Sequence, residues 1–178
     1  MAVLTENRTA LPAGTWALDP IHSTIGFELP YLAGTFRGHF TDVNARLTET
    51  GLQGSARVAS VDVKDENLSA HLQSPEFFDA ARYPELSFES REVERSGGNL
   101  TLRGDITIRG ITRPVELKGT VSEPLTDYTN RERIGLQLEA SVDRTAFGVN
   151  WNAPLPSGEP ALANDVKLVA ELYFVREA

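Results

Sequence analysis

The sequence predicts an all-β domain, and three observations predict it. Apolar and polar residues alternate with period two through most of the chain after Gly14. Clusters of turn-forming residues cut that alternation into pieces of strand length. The size, 178 residues with 40% hydrophobic content, suits one domain that buries a core without covalent staples.

Taken in order, residues 1–12 read as a flexible tail: polar, aperiodic and closed by Pro12 and Gly14, with the folded domain over 13–178. Trp16 and Leu18 begin the alternation, and Ile25, Phe27 and Leu29 continue it. Between Phe36 and Leu47 the apolar parity changes. Phe36, Gly38 and Phe40 are even and Val43, Ala45 and Leu47 are odd, as a β-bulge or a sharp bend requires. Leu52–Val63 and Leu86–Val93 are further strands. The clearest is Leu100–Arg109, with Leu100, Leu102, Gly104, Ile106 and Ile108 on one face. Val115, Leu117, Gly119 and Val121 repeat the pattern. So do Ile134, Leu136, Leu138, Ala140 and Val142, and finally Val166, Leu168, Ala170, Leu172 and Phe174. Turns fall at Glu49–Gly51, Ser96–Asn99 and Arg109–Pro114. Longer breaks fall at 64–84, 123–131 and 147–164. The first holds SAHLQSPEFFDAARYP, where Pro75 and Pro84 restrict any helix to a short one. Eight or so antiparallel strands with one apolar face each argue for a closed barrel or a sandwich. Closure removes exposed edges and favours the barrel, although the pattern alone leaves both open.

Composition excludes several functions. With no cysteine there is no disulfide, thiolate metal site or cysteine nucleophile. A net charge of -8, with 17 scattered basic residues, gives no footprint for nucleic acid or for an anionic membrane surface. The opening MAVLTENRTALPAG lacks the basic start and apolar run of a secretory signal, and no run is long enough for a membrane helix. The expected location is therefore cytoplasmic, without stable membrane insertion.

Polar constellations carry little. The spacing of His22, His39 and His71 matches no compact metal motif, even with Asp19 or Asp79 added, so no metal is expected. In an extended strand His22 and Ser23 would face opposite ways and could not act as base and nucleophile, which leaves Asp19–Ser23 a structural role at a strand entry. Glu76 and Asp79 read as a solvated pair. Arg109 and Arg113 flank a turn, either gripping an anionic headgroup or simply solvated. The aromatic residues say more. Phe27, Phe36, Phe40, Phe88 and Phe174 lie on apolar strand faces, while Phe77-Phe78 and Phe147 with Trp151 lie in loops. An eight-stranded barrel is just wide enough to be filled by side chains or to hold one small ligand. Phe77 and Phe78 can both turn inward only in a helical turn, where they would form a lid.

Several blocks then resemble a known family. WALDPIHSTIGF (16–27), GTFRGHF (34–40), HLQSPEFFDAARYPELSF (71–88), LTLRGDITIRGITRPVEL (100–117), DRTAFGVNWN (143–152) and DVKL (165–168) are similar, in order, to the YceI family of isoprenoid-binding proteins. The resemblance implies an extended eight-stranded antiparallel lipocalin-like barrel, with a short helical segment in 64–84, often a homodimer. It implies an apolar tunnel for a polyisoprenoid such as an isoprenoid quinone or polyprenyl phosphate, held for carriage, storage or sequestration, with no cofactor and no catalysis. Family members carry a histidine where this chain has Pro30-Tyr31, so headgroup preference is expected to differ here. Phe77, Phe78 and Phe88 become the expected wall or lid. Phe27, Phe36, Phe40, Leu102 and Ile106 are expected wall residues from inward parity, with Leu117, Leu138, Phe147, Trp151 and Leu172. Tyr31, His71, Asp79 and Arg113 are the expected headgroup or mouth residues. Two other readings stay open: an enzyme acting on a hydrophobic substrate in the same cavity, and a ligand-free stress or interaction module.

Overall fold

The computed structural model describes residues 10–178, with twelve strand segments, one α-helix and two 3-10 turns among them. Three pairs of segments are single strands broken by a bend. β1 (Trp16–Leu18) and β2 (Thr24–Tyr31) lie along the same side of β12 (Asp165–Arg176). β3 (Gly34–Phe40) and β4 (Val43–Thr48) are separated only by Thr41-Asp42, where the apolar parity changes. β5 (Gly51–Arg57) and β6 (Val61–Asp62) flank the 3-10 turn Val58–Ser60. β7 (Glu85–Ser96), β8 (Asn99–Ile108), β9 (Ile111–Val121) and β11 (Glu132–Asp143) are long, and β10 (Leu125–Thr126) is a short piece against β11.

β12 pairs with β11 on one side and with β1 and β2 on the other, which closes an eight-stranded antiparallel barrel. The ladders differ in length. β11 and β12 pair residue for residue, 133–143 against 165–175. β9 and β11 pair only over 118–121 against 136–139. At that short ladder the backbones are close: a Cβ on Gly119 would lie 1.7 Å from the Gln137 carbonyl oxygen.

Local sequence explains the corners. Arg109 (φ 55°) and Gly110 (φ 72°) form a two-residue hairpin loop with both residues left-handed. The turn expected over Arg109–Pro114 is therefore shorter, and β9 resumes at Ile111. The helix, α1 (Glu66–Leu72), starts earlier than the stretch singled out for it, because Asp65 caps it by accepting from Leu68 N–H at 2.9 Å. Asp19–Ser23 is a turn and not extended strand. His22 Nδ1 is 2.7 Å from Asp19 Oδ2, and Ser23 Oγ accepts from Tyr173 N–H at 2.9 Å, so the serine is tied to backbone and not to the imidazole.

The interior divides into two. Around β1 and β4, Trp16, Leu47, Leu100, Leu102, Leu136 and Phe174 are essentially fully buried and fill the bore. Leu11 joins them at 3% exposure, and the neighbouring Ala10 O accepts from Arg95 Nη1 at 3.0 Å; the rest of the expected tail, residues 1–9, lies outside the described residues. Around α1, Phe27, Phe40, Phe77, Ile108 and Phe147 form a second cluster. Beyond the filled end, Arg133 donates to Asp19 at 3.1 Å and to Asp127, tying the 19–23 turn to the β10–β11 loop. Hydrogen bonds from the Thr129 hydroxyl and Arg133 hold the Asp127 carboxyl well below the usual carboxylate range.

Two outcomes follow for stability. Gly119→Ala should lower the urea midpoint by the equivalent of about 1–3 kcal/mol by forcing β9 off β11. Gly98→Ala, whose Cβ would approach nothing nearer than 3.8 Å, should leave it unchanged. Because the Asp127 pKa is depressed on folding, its contribution is complete above about pH 4 and is lost as pH falls through the folded value. Asp127→Asn should therefore be less stable than wild type at neutral pH, with the gap in urea midpoint narrowing in acid.

Candidate functional site

Above the filled half the barrel encloses a cavity of about 170 Å³. Its floor is the upper surface of the plug, formed by Ala45, Leu52, Leu117, Leu138 and Leu172. Its walls come from inward residues of the bent and long strands: Ile25, Phe27, Phe36, Phe40, Phe88, Ile106 and Leu168. Its roof is the segment after β6. There α1 contributes Leu72, and the turns that follow contribute both Phe77 and Phe78. Phe77 N–H donates to Ser74 O and Phe78 N–H to Leu72 O, each at 3.0 Å, and this tight turn brings adjacent phenylalanines to the same side. Phe78 meets Phe27 and Phe40 with ring centroids 6.2 and 5.8 Å apart, so the roof is continuous with the wall.

The roof is pinned from two sides. His71, Phe77 and Trp151 pack their rings together at centroid distances of 5.0–5.4 Å, and His71 Nε2 lies 2.9 Å from Glu76 Oε2. Arg109, at the β8–β9 hairpin, donates from Nη2 to Pro75 O at 2.8 Å and from Nη1 to Gly148 O at 2.9 Å. Its buried Nε has no hydrogen-bond partner among the described residues.

The expected residues sort cleanly. Phe27, Phe36, Phe40, Phe77, Phe78, Phe88, Ile106, Leu117, Leu138, Phe147 and Leu172 line the cavity. Leu102 has the right parity but is fully buried in the plug, because inward residues of one strand pass through both halves of the bore. Trp151 stands behind Phe77, outside the lining. None of the expected headgroup residues reaches the cavity. Tyr31 is on the outside at 39% exposure, edge-on to Phe36 at 6.3 Å. Asp79, expected to be solvated, is 2% exposed with φ 54°, shaping the turn and facing Arg82 at 3.8 Å. Arg113 donates from Nε to Ala146 O at 3.3 Å.

The sequence reading missed Arg144. It is 6% exposed and sits in the lining, at a 3-10 turn (Arg144–Phe147) capped by Asp143, which accepts from Thr145 N–H at 2.9 Å. Its guanidinium is turned onto carbonyls: Nε to Ala163 O at 2.9 Å, and Nη1 to Val149 O and Trp151 O at 2.8 Å each. Burial, opposed by the Asp143 carboxylate, pulls its pKa below the ordinary guanidinium value. Asn152 ties the same loop to the strand entry, donating to Leu162 O at 2.8 Å and accepting from Leu162 N–H at 3.0 Å. The DRTAFGVNWN block is thus a scaffold for the cavity wall, and an Asp followed two residues later by Thr was its legible cap signal. Apart from Arg144 the polar side chains in the lining are Ser55 and Ser87; no carboxylate or imidazole lines the cavity among the described residues.

The barrel is thus plugged at one end and lined with hydrocarbon at the other. The sequence model of the YceI-like domain matches residues 16–174. The chain belongs to the YceI family. Among curated relatives of this YceI-family chain, a UPF0312 protein of Photorhabdus laumondii is 29% identical over 162 residues, covering 84% of this chain and 82% of that protein. Protein YceI of Escherichia coli O17:K52:H18 is 27% identical over 158 residues, covering 84% and 83%. Among solved structures, Burkholderia cenocepacia BcnA superposes with a TM-score of 0.76 at 21% identity, covering 88% of this chain and 98% of that one. A polyisoprenoid binding domain from Saccharophagus degradans, implicated in plant cell wall breakdown, superposes with a TM-score of 0.66 at 11% identity, covering 91% and 98%. These two likenesses are of fold.

Arg144→Met should be destabilised by at least about 3 kcal/mol in urea unfolding, because it leaves three buried carbonyls without donors. Arg144→Lys should recover part of the loss.

Proposed function

We propose that this YceI-family barrel binds the apolar part of one long-chain amphiphile, of isoprenoid type, for carriage, storage or sequestration. The observation that carries the reading is the lining of the cavity: aromatic and aliphatic side chains on floor, wall and roof, in a barrel whose other half is already filled. Membership of the YceI family supports it, as does likeness of fold to a polyisoprenoid binding domain. Each methylene moved from water into such a site contributes about 0.8 kcal/mol, without directional contacts, so the tail supplies affinity more than selectivity. The lining also bears on the enzyme reading, since it contains no side chain suited to proton transfer near neutral pH among the described residues.

Size refines the proposal. A cavity of about 150 Å³ holds a benzene-sized guest. The cavity here, about 170 Å³, is of that order. A short run of hydrocarbon fits the barrel as it stands, and a longer chain extends beyond it or displaces the roof. A quinone or polyprenyl phosphate would then keep its polar head outside the lining, since Tyr31, His71 and Arg113 all sit outside it.

Protein purified without detergent and examined by native mass spectrometry should carry a mass increment that organic extraction recovers as lipid. Bare protein in every charge state overturns the reading. The same spectrum reads subunit number, for which the family resemblance sets the expectation of a homodimer. Leu138→Trp should fill the floor and weaken binding of a C20 isoprenoid alcohol at least about tenfold, that is by more than about 1.4 kcal/mol, in a fluorescence titration. Unchanged affinity in a folded variant would move the ligand out of this cavity.

A further inference from the structure

The barrel wall is not hydrogen-bonded all the way round. The β9–β11 ladder stops at the Lys118–Glu139 pair. Above it, residues 111–117 of β9 stay paired with β8, and residues 140–143 of β11 stay paired with β12. Among the described residues the two facing edges have no ladder partner there. Pro114 lies in this stretch and has no N–H to offer across it. Side chains register the opening. On β8 the inward residues Ile106 and Ile108 are buried, whereas on β9 the inward residues Ile111, Val115 and Leu117 are only half-buried. The top of the opening is bridged by Arg113 Nε donating to Ala146 O, at a long 3.3 Å. Between that bridge and the last ladder pair lie residues 114–117, about 13 Å of strand at about 3.3 Å per residue.

Both rims of this seam also belong to the cavity. Leu117 on β9, Val142 at the end of β11 and Phe147 in the following turn all line it. The roof, by contrast, is fastened by Arg109 to Pro75 O and by the His71–Phe77–Trp151 ring cluster. Opening the roof breaks all of these contacts together with the ring packing on Phe27 and Phe40. Widening the seam below the Arg109–Gly148 bond, which ties the hairpin tip to the turn after β11 at 2.9 Å, breaks the long hydrogen bond from Arg113 and separates side chains that are already half-exposed.

We propose that the seam between β9 and β11 is the portal through which the apolar chain enters and leaves the cavity, and through which the part too long for the cavity projects, with Arg113 as its latch. The inference rests on the lipid-binding reading above and adds the route. An apolar chain sliding sideways between Val115, Leu117 and Val142 stays in contact with hydrocarbon throughout, and the ladders on the far sides of β9 and β11 remain intact.

The absence of cysteine from the chain makes the test direct. Glu116 and Ser141 are exposed, outward-facing, and would stand opposite each other if the ladder continued. In Glu116→Cys/Ser141→Cys the two thiols are bridged by bismaleimidoethane. Glu94→Cys/Thr101→Cys, on the zipped β7–β8 ladder, is bridged in the same way as a control. The probe is all-trans-retinol delivered from phosphatidylcholine vesicles, followed by its fluorescence. Stapling the seam is expected to slow uptake and release at least about tenfold while the equilibrium affinity stays within about twofold, the signature of a gate. The control staple and the unbridged seam variant should match wild type, which also shows that the substitutions leave the fold intact. Unchanged rates with the seam stapled overturn the portal while leaving lipid binding standing. No retinol bound by the unmodified protein overturns the lipid-binding reading and the portal with it.

Discussion

Everything in this molecule depends on the double pairing of β12. One edge runs unbroken against β11 and the other is shared between β1 and β2, so a single strand turns an open sheet into a ring. Its inward residues then span the whole bore: Phe174 is sealed in the plug, Leu172 is at the floor, and Leu168 and Val166 are in the cavity wall. Closing a ring of eight strands fixes the diameter, and with it the choice between filling the centre and leaving room for one guest.

This barrel makes both choices, one at each end. Trp16, Leu47, Leu102 and Phe174 are essentially fully buried in the bore around β1 and β4 and supply the burial a folded domain needs. The upper half is bounded instead by phenylalanine rings held at about 6 Å from one another, against a roof anchored on backbone carbonyls. Stability and vacancy are thus separated in space. The hydrocarbon lining can stay open because the leucine-rich end, the Arg144 scaffold and the Asp19–Arg133–Asp127 ties hold the frame.

How much of this could be read from the sequence follows from what period two reports. It reports which face of a strand is inward, and Phe27, Phe88, Ile106 and Leu138, inward by that pattern, are among the residues that line the cavity. It does not report height along the bore, which is why Leu102 was grouped with the wall although it belongs to the plug. The β3–β4 break was legible because Phe40 and Val43 differ in parity. The bulge at Arg91 is equally legible, since Phe88 and Val93 differ in parity. Tyr31, His71, Asp79 and Arg113 stand outside the lining because each has another neighbour, the Phe36 ring, the Phe77 and Trp151 rings, Arg82 and Ala146 O respectively, and no periodicity reports such contacts. Arg144 is not legible because its guanidinium is held mainly by backbone carbonyls, which leave no residue-type signal in the sequence. The short β9–β11 ladder leaves its trace at Pro114, which reads as turn punctuation until the strand is seen to run through it.

That proline has one more effect. Two exposed strand edges side by side are a template on which another chain can build, and a wall with a permanent gap invites intermolecular strand addition. Pro114 removes one of the donors an incoming strand would need. Glu116, Lys118, Glu139 and Asp143 add charge along the outer face of the same gap. The side of the barrel best suited to part is thereby defended against self-association and the growth of fibrils.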